Sequence, residues 1–208
     1  MGIPAEHDIE LASADDMAAA CDIMGSAFSQ DPLLRWLCER PEIYSDMFRL
    51  DAECLYKHHH CIYLNRERTG AAMWLPPGIS TKSNKLHWRM LPLIWNLVSK
   101  GGLKRLVTRG GAFEKVTLAA HPAEPHFYLG FVGASLGQQG RGIGSALLKT
   151  GLTACDKQGA IAYLESSNVK NNSLYERHGF EVIADATLPD GGPTIWFMKR
   201  AAREGLPQ

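Results

Sequence analysis

Gln138-Gln139-Gly140-Arg141-Gly142-Ile143-Gly144-Ser145-Ala146-Leu147-Leu148 sets three glycines within five positions. The stretch lies between an apolar run, Phe127 to Ala134, and a helical pattern from Gly142 to Gln158. The run reads as a strand. The helix is closed by Gly159, in the position where a left-handed residue ends helices. Glycines let a backbone approach a ligand without Cβ clashes. Free N–H groups at a helix start, with the positive end of the dipole, suit an anion such as a phosphate. A tight strand-to-helix turn would also use glycine, but three of them at one such junction favour the phosphate. Ala160 to Glu165 follows as a second apolar strand. A strand–helix–strand crossover demands parallel pairing, so a parallel β–α–β unit spans Phe127 to Glu165.

Downstream, Asn172 to His178 reads as a short helix ending at Gly179, with Ser173-x-x-Glu176 fitting a capping box. Phe180 to Ala184 and Thr194 to Met198 read as the last strands, joined through Pro189-Asp190-Gly191-Gly192-Pro193. Upstream, Cys61 to Leu64 and Gly70 to Leu75 form a hairpin about Asn65-Arg66-Glu67-Arg68, and Pro76-Pro77-Gly78 ends it. Glu6 to Ala12 is a strand. A helix runs from Ala14-Asp15-Asp16 through Phe28, is interrupted at Asp31-Pro32, and resumes from Leu33 to Glu39. Ile43 to His58 repeats the helical spacing. Ile79 to Pro125 predicts helices with breaks at two Gly-Gly pairs, 101–102 and 110–111. The order is that of one α/β domain, 1–208, with a mixed sheet flanked by helices.

At 208 residues the chain can bury roughly 70% of its extended surface, enough for a real core. Lys+Arg and Asp+Glu both number 22, so no net field gathers nucleic acid or an acidic membrane. No apolar run approaches the ~18 residues of a spanning helix, and the N-terminus lacks a signal-peptide core. Five cysteines, odd in number and without Cys-x-x-Cys, fit reduced thiols in a cytoplasmic protein.

The stretch can be compared with known phosphate-binding patterns. A dinucleotide fingerprint fails in both registers, because Ser145 or Leu147 stands where the third Gly or Ala belongs. Glu165 does lie where a ribose-binding acid would sit. A P-loop fails because no Gly-Lys-Ser/Thr follows. Gln139, Gly142 and Gly144 instead match Gln-x-x-Gly-x-Gly. This resembles the acetyl-CoA pyrophosphate loop of the GNAT N-acetyltransferases. Tyr163-Leu164-Glu165-Ser166-Ser167-Asn168, then Asn171 and Leu174-Tyr175-Glu176-Arg177-His178-Gly179-Phe180, are similar to the second signature of that family. Glu124-Pro125 through Trp196-Phe197-Met198 resembles the puromycin N-acetyltransferase branch in particular. Leu136 departs from the proline usual three residues before the Gln, and Ala134 replaces a larger β-branched residue.

The resemblance implies a GNAT fold: a mostly antiparallel central sheet with the parallel β–α–β unit holding acetyl-CoA. Gln139, Gly140, Arg141, Gly142, Ile143 and Gly144 would then bind the pyrophosphate through backbone N–H groups. Arg141 either adds a charge-assisted contact or stays a solvated surface residue. The backbone of Phe131, Val132, Gly133 and Ala134 would flank the pantetheine arm, with an N–H polarising the thioester carbonyl. Asn168 and Asn171 either touch the arm or shape the loop, the contact being favoured for Asn168. Tyr175 would protonate the leaving thiolate. Glu165 is a candidate base, directly or through a water, or else a cap for the following loop. His126 is the alternative base, although a surface role suits it better.

His58-His59-His60-Cys61 suggests a metal, but consecutive side chains diverge, so none is expected. Trp74, Trp88 and Trp95 either belong to the core, as aromatics at such spacings usually do, or wall an apolar acceptor cleft, with 79–125 as an acceptor-site insertion. The expected activity is therefore transfer of acetyl from acetyl-CoA to a primary amine, a small molecule, by direct attack. The alternative is a catalytically silent acyl-CoA sensor on the same fold, which would have no use for a general acid. A homodimer stays open. No nucleic acid or membrane partner is expected.

Overall fold

The computed structural model describes residues 8–59, 61–79, 91, 95 and 103–203. Seven strands build one sheet: β1 (Ile9–Leu11), β2 (Ile62–Asn65), β3 (Gly70–Leu75), β4 (His126–Ala134), β5 (Ile161–Ser166), β6 (Glu181–Thr187) and β7 (Thr194–Arg200). Their order is β1-β2-β3-β4-β5-β7-β6. Every pair is antiparallel except β4 with β5, as a crossover through a helix requires. Six α-helices are described: α1 (Met17–Ala27), α2 (Pro32–Leu37), α3 (Tyr44–Asp51), α4 (Leu103–Ala120), α5 (Ile143–Lys157) and α6 (Val169–Arg177).

One face of the sheet carries α5. Its Gly151 admits the indole of Trp74 against the helix backbone, where a Cβ would lie 2.3 Å from the ring. The first strand residue of β3 does the same in reverse, with Gly70 giving room to Ile143 and Leu147. The opposite face carries α1 and α3, whose Phe28 and Phe48 pack on Phe131 of β4. A second apolar cluster, Trp36, Leu37, Tyr163, Leu188, Ile195 and Phe197, joins α2 and α4 to the β5–β7 side. At the far end of α5, Arg200 of β7 forks onto Asp156 at 2.7 and 2.9 Å.

Asp31-Pro32 marks a real boundary. Asp31 caps α2 by accepting the N–H groups of Leu33 and Leu34, and Pro32 takes the first helical position, where no N–H is needed. Several expectations are corrected. The first strand is shorter than Glu6 to Ala12, with its leading residues outside the described set. The Ile43–His58 helix is broken into α3, a π-helical turn (Ala52–Tyr56) and a 3-10 turn (Lys57–His59). Gly110-Gly111 lies inside α4 rather than breaking it, while the 101–102 pair is outside the described residues. The capping box at Ser173 is not used: α6 starts four residues earlier, capped by Asn168, whose Oδ1 accepts from the Lys170 N–H. The final strands run on to Thr187 and Arg200.

Candidate active site

The site begins with a fault in β4. Met73 pairs with Phe131 but Trp74 pairs with Leu129, so Gly130 is an extra residue opposite β3. A bulge of this kind bends and twists its strand. The consequence lies on the other edge of β4. Pairing with β5 runs from His126↔Ile161 to Leu129↔Leu164 and stops there. Beyond it β4 stays bound to β3 through Ala134, and β5 stays bound to β7 through Ser166. The two central strands therefore part at the bulge. The β5-facing edge of Phe131–Ala134 is left without a strand partner.

The gap is lined by Phe28 and Asp31 from the α1–α2 junction, by Gly130, Phe131 and Val132, by Glu165, Ser166 and Ser167, and by Asn171 and Tyr175 of α6. Gly133 continues the β4 edge and meets Ala27 and Phe28, so a side chain there would strike α1. The glycines follow β4 along the chain, outside the lining of the gap. Gly137, Gly140 and Gly142 have φ of 81°, 78° and 85°, a left-handed backbone that other residues enter at a cost of about 1–2 kcal/mol. Gly142 is the N-cap of α5 and has no side-chain capping bond, so the first N–H groups of this helix have no side-chain cap. Gln139, Gly140 and Arg141 are exposed beside it, Ile143 is buried, and Gly144 faces Leu174 of α6. A free strand edge leading to an open helix N-terminus fits a long ligand with amide groups at one end and phosphates at the other.

Tyr175 is 7% exposed, and its hydroxyl has no hydrogen-bond partner among the described residues. Burial first, and the nearby Asp31 charge second, hold its phenol well above the usual tyrosine range. It stays protonated at any physiological pH, as a proton donor must. Glu165 lies on the α1–α4 face with its side chain 10% exposed. Tyr128 donates a hydrogen bond to its Oε2 at 2.9 Å and Tyr163 one to its Oε1 at 3.3 Å. His121 Nδ1 stands 3.9 Å from the same Oε1. His126 stacks edge-on against His121 at 4.7 Å and takes no part in the gap. Its pKa is lowered chiefly by burial.

The structure thus brings Phe131, Val132, Glu165, Asn171 and Tyr175 to one gap, with Gly133 and Ala134 further along the same strand edge. The glycine loop lies apart from that gap, and Asn168 serves as the α6 cap. Sequence reasoning missed Phe28, Asp31, Tyr128, Tyr163 and His121. The Asp31-Pro32 breaker was the one signal that pointed near any of them. Trp74 is corrected: it is buried under α5, on the far face, and walls no cleft. Trp95 is 74% exposed, and Trp88 lies outside the described residues. Among the described residues there is no cluster of His, Cys, Asp and Glu able to hold a metal. None of their helices is long and apolar enough to cross a membrane.

Residues 105–180 match the model of the Acetyltransferase (GNAT) family. An uncharacterized N-acetyltransferase of Schizosaccharomyces pombe is 26% identical over 183 residues, covering 80% of this chain and 71% of its own length. The fold matches a structure described as histone acetyltransferase HPA2 and related acetyltransferase from Corynebacterium glutamicum, with a TM-score of 0.67 and 24% identity over 98% of this chain and 99% of that one. It also matches arylalkylamine N-acetyltransferase 2 from Aedes aegypti, with a TM-score of 0.61 and 9% identity over 94% and 99%. An agmatine N-acetyltransferase matches at a TM-score of 0.61 and 12% identity over 94% and 99%. Over residues 105–180 the chain is thus similar to GNAT-type acetyltransferases, a family that draws its acetyl group from acetyl-CoA.

Proposed function

We propose that the protein acetylates the nitrogen of a small primary amine by direct attack on acetyl-CoA, with Glu165 as base and Tyr175 as acid. The observation that carries this reading is the gap between β4 and β5, where a free strand edge, a carboxylate and a protonated phenol converge. In this reading the N–H groups of Gln139, Gly140, Arg141, Gly142, Ile143 and Gly144 hold the pyrophosphate, with Arg141 adding charge. The edge of Phe131–Ala134 binds the pantetheine arm as a strand would, and one of its N–H groups polarises the carbonyl. Asn168 and Asn171 border the arm. Acetyl-CoA supplies the activated thioester. Glu165 takes one proton from the ammonium and passes it to solvent, the freed amine attacks the thioester carbonyl, and as the C–S bond breaks Tyr175 gives its proton to the departing sulfur and is reprotonated by the second proton that the nitrogen sheds on becoming an amide. A cysteine-linked route has no support, because burial pushes the thiols of Cys21, Cys61 and Cys155 up to about 12.

The acceptor side of the gap is aromatic. Phe28 and Phe131 line it with ring centroids 5.8 Å apart, resting on the buried Phe48 and Tyr56 behind them. These rings replace the tryptophans as the apolar wall and favour an aralkyl amine. The resemblance to puromycin N-acetyltransferases agrees, as do amine acetyltransferases among the structures of this fold. The chain just beyond α4 delivers His121 to Glu165, which supports an acceptor-side role for this part of a single domain. Five unpaired cysteines suit the reducing cytoplasm. The test is CoA release with puromycin, phenethylamine, an aromatic amino-acid amide, agmatine and a histone-tail peptide. Higher kcat/KM for the aralkyl amines is expected. A clear preference for the peptide would overturn the reading.

A further inference from the structure

Asp31 is a buried carboxylate whose charge the fold does not use. It is 8% exposed. Oδ1 accepts from the N–H groups of Leu33 and Leu34 at 2.9 and 3.0 Å, and Oδ2 accepts from the Ser167 hydroxyl at 2.6 Å. Capping alone does not require a charge, since Asn or Ser caps a helix as well as Asp. A carboxylate has about four acceptor positions, and three are filled here. No lysine, arginine or histidine among the described residues pairs with it. Ordinarily a buried charge is paired.

Its position suggests the missing partner. Asp31 lines the gap together with Phe28, Phe131, Glu165 and Tyr175. An alkyl amine, with a pKa near the ~10.4 of lysine, reaches such a site as an ammonium ion. An ammonium entering between aromatic rings loses water and needs an anion beside it. Burial lifts the Asp31 carboxyl above its ordinary range, so a cation at this spot would restore its ionised form. Resting on the proposed amine acceptor, we infer that Asp31 binds the acceptor's ammonium group at the transfer site, and that Ser167 positions the Asp31 carboxylate for this. Asp31 thereby selects cationic amines over neutral or hydroxyl acceptors, and Glu165 remains the group that takes the proton. The bond to Ser167 crosses from the first third of the chain to the β5–α6 loop. The acceptor anion is therefore held by the segment that borders the cofactor gap.

Asp31→Asn keeps the shape, the cap and a hydrogen bond to Ser167 while removing the charge. Three readouts are taken on wild type, Asp31→Asn and Ser167→Ala: acetyl-CoA affinity by calorimetry, KM and kcat for phenethylamine, and competitive inhibition by 2-phenylethanol. For Asp31→Asn the expected result is acetyl-CoA affinity within twofold and 2-phenylethanol inhibition unchanged. KM for the amine should rise thirtyfold or more. Ser167→Ala should raise that KM three- to tenfold. An unchanged amine KM in Asp31→Asn overturns the inference. So does equal weakening of amine and alcohol, which would mark a structural role. A wild type that acetylates no amine removes this inference and the proposed function together. Amine turnover in the wild type with no effect of Asp31→Asn removes this inference alone.

Discussion

Removing the Tyr175 hydroxyl is the smallest change that separates chemistry from packing. The ring packs on Phe180 at 6.2 Å and would remain in Tyr175→Phe. A fall in kcat of roughly 10²-fold with unchanged acetyl-CoA affinity is expected from steady-state kinetics and calorimetry. Because burial and the Asp31 charge hold the phenol protonated, no alkaline limb owed to Tyr175 should appear between about pH 7 and 9.5. Equal turnover in variant and parent would remove the residue from the mechanism. Gly142→Val asks two things at once. At φ of 85° a β-branched residue is strained, so thermal unfolding should show a loss of about 1–2 kcal/mol or more. Acetyl-CoA affinity should drop at least tenfold, and a folded variant with full affinity would refute the phosphate loop. Gln139, Gly142, Gly144, Glu165 and Tyr175 were legible because each sits in a short contiguous pattern. Asp31 and Ser167, or Tyr128 and Glu165, meet only through sheet pairing and loop closure across 136 and 37 positions, and no local spacing announces that.

At the scale of elements, period and punctuation located most strands and helices, because half-buried strands and amphipathic helices leave regular apolar spacing. What they missed has local causes. Leu129-Gly130-Phe131 reads as uninterrupted strand, so the bulge that parts β4 from β5 leaves no trace in the apolar pattern. Asn168 and Ser173 are both acceptable caps, and burial of Asn172, which accepts the Ser166 hydroxyl at 2.7 Å, favours the earlier start. Gly110-Gly111 has nothing near a would-be Cβ and costs α4 propensity without breaking it. Helix α5 offers a test of how tightly the cofactor unit is seated. Gly151→Ala gains up to about 1 kcal/mol of helix propensity, yet its Cβ would fall 2.3 Å from the Trp74 indole. Overpacking costs about 1–3 kcal/mol, so net destabilisation is expected, seen as a midpoint lowered by roughly 2–4 °C per kcal/mol. A raised midpoint would mean that Trp74 yields easily.

Across the whole molecule, the sheet is two antiparallel ribbons joined by a short parallel seam. Strands β1 to β4 come before the crossover helix, and β5 to β7 come after it. Among the described residues four strand pairs, His126↔Ile161 to Leu129↔Leu164, stitch the ribbons together by backbone. The proposed cofactor site takes its glycine loop and strand edge from the first ribbon, and Asn171 and Tyr175 from the second. The turn at Gln158-Gly159 is exposed and lies on neither wall. The chain therefore has the layout of a two-part switch. Cut at Gln158-Gly159 and co-expressed, the two fragments should find each other more tightly when acetyl-CoA is present, because a ligand that needs both parts adds its binding energy to their union. Fused to the halves of a fluorescent reporter, they would turn the acetyl-CoA level into light. A signal indifferent to acetyl-CoA would mean that one ribbon alone holds it.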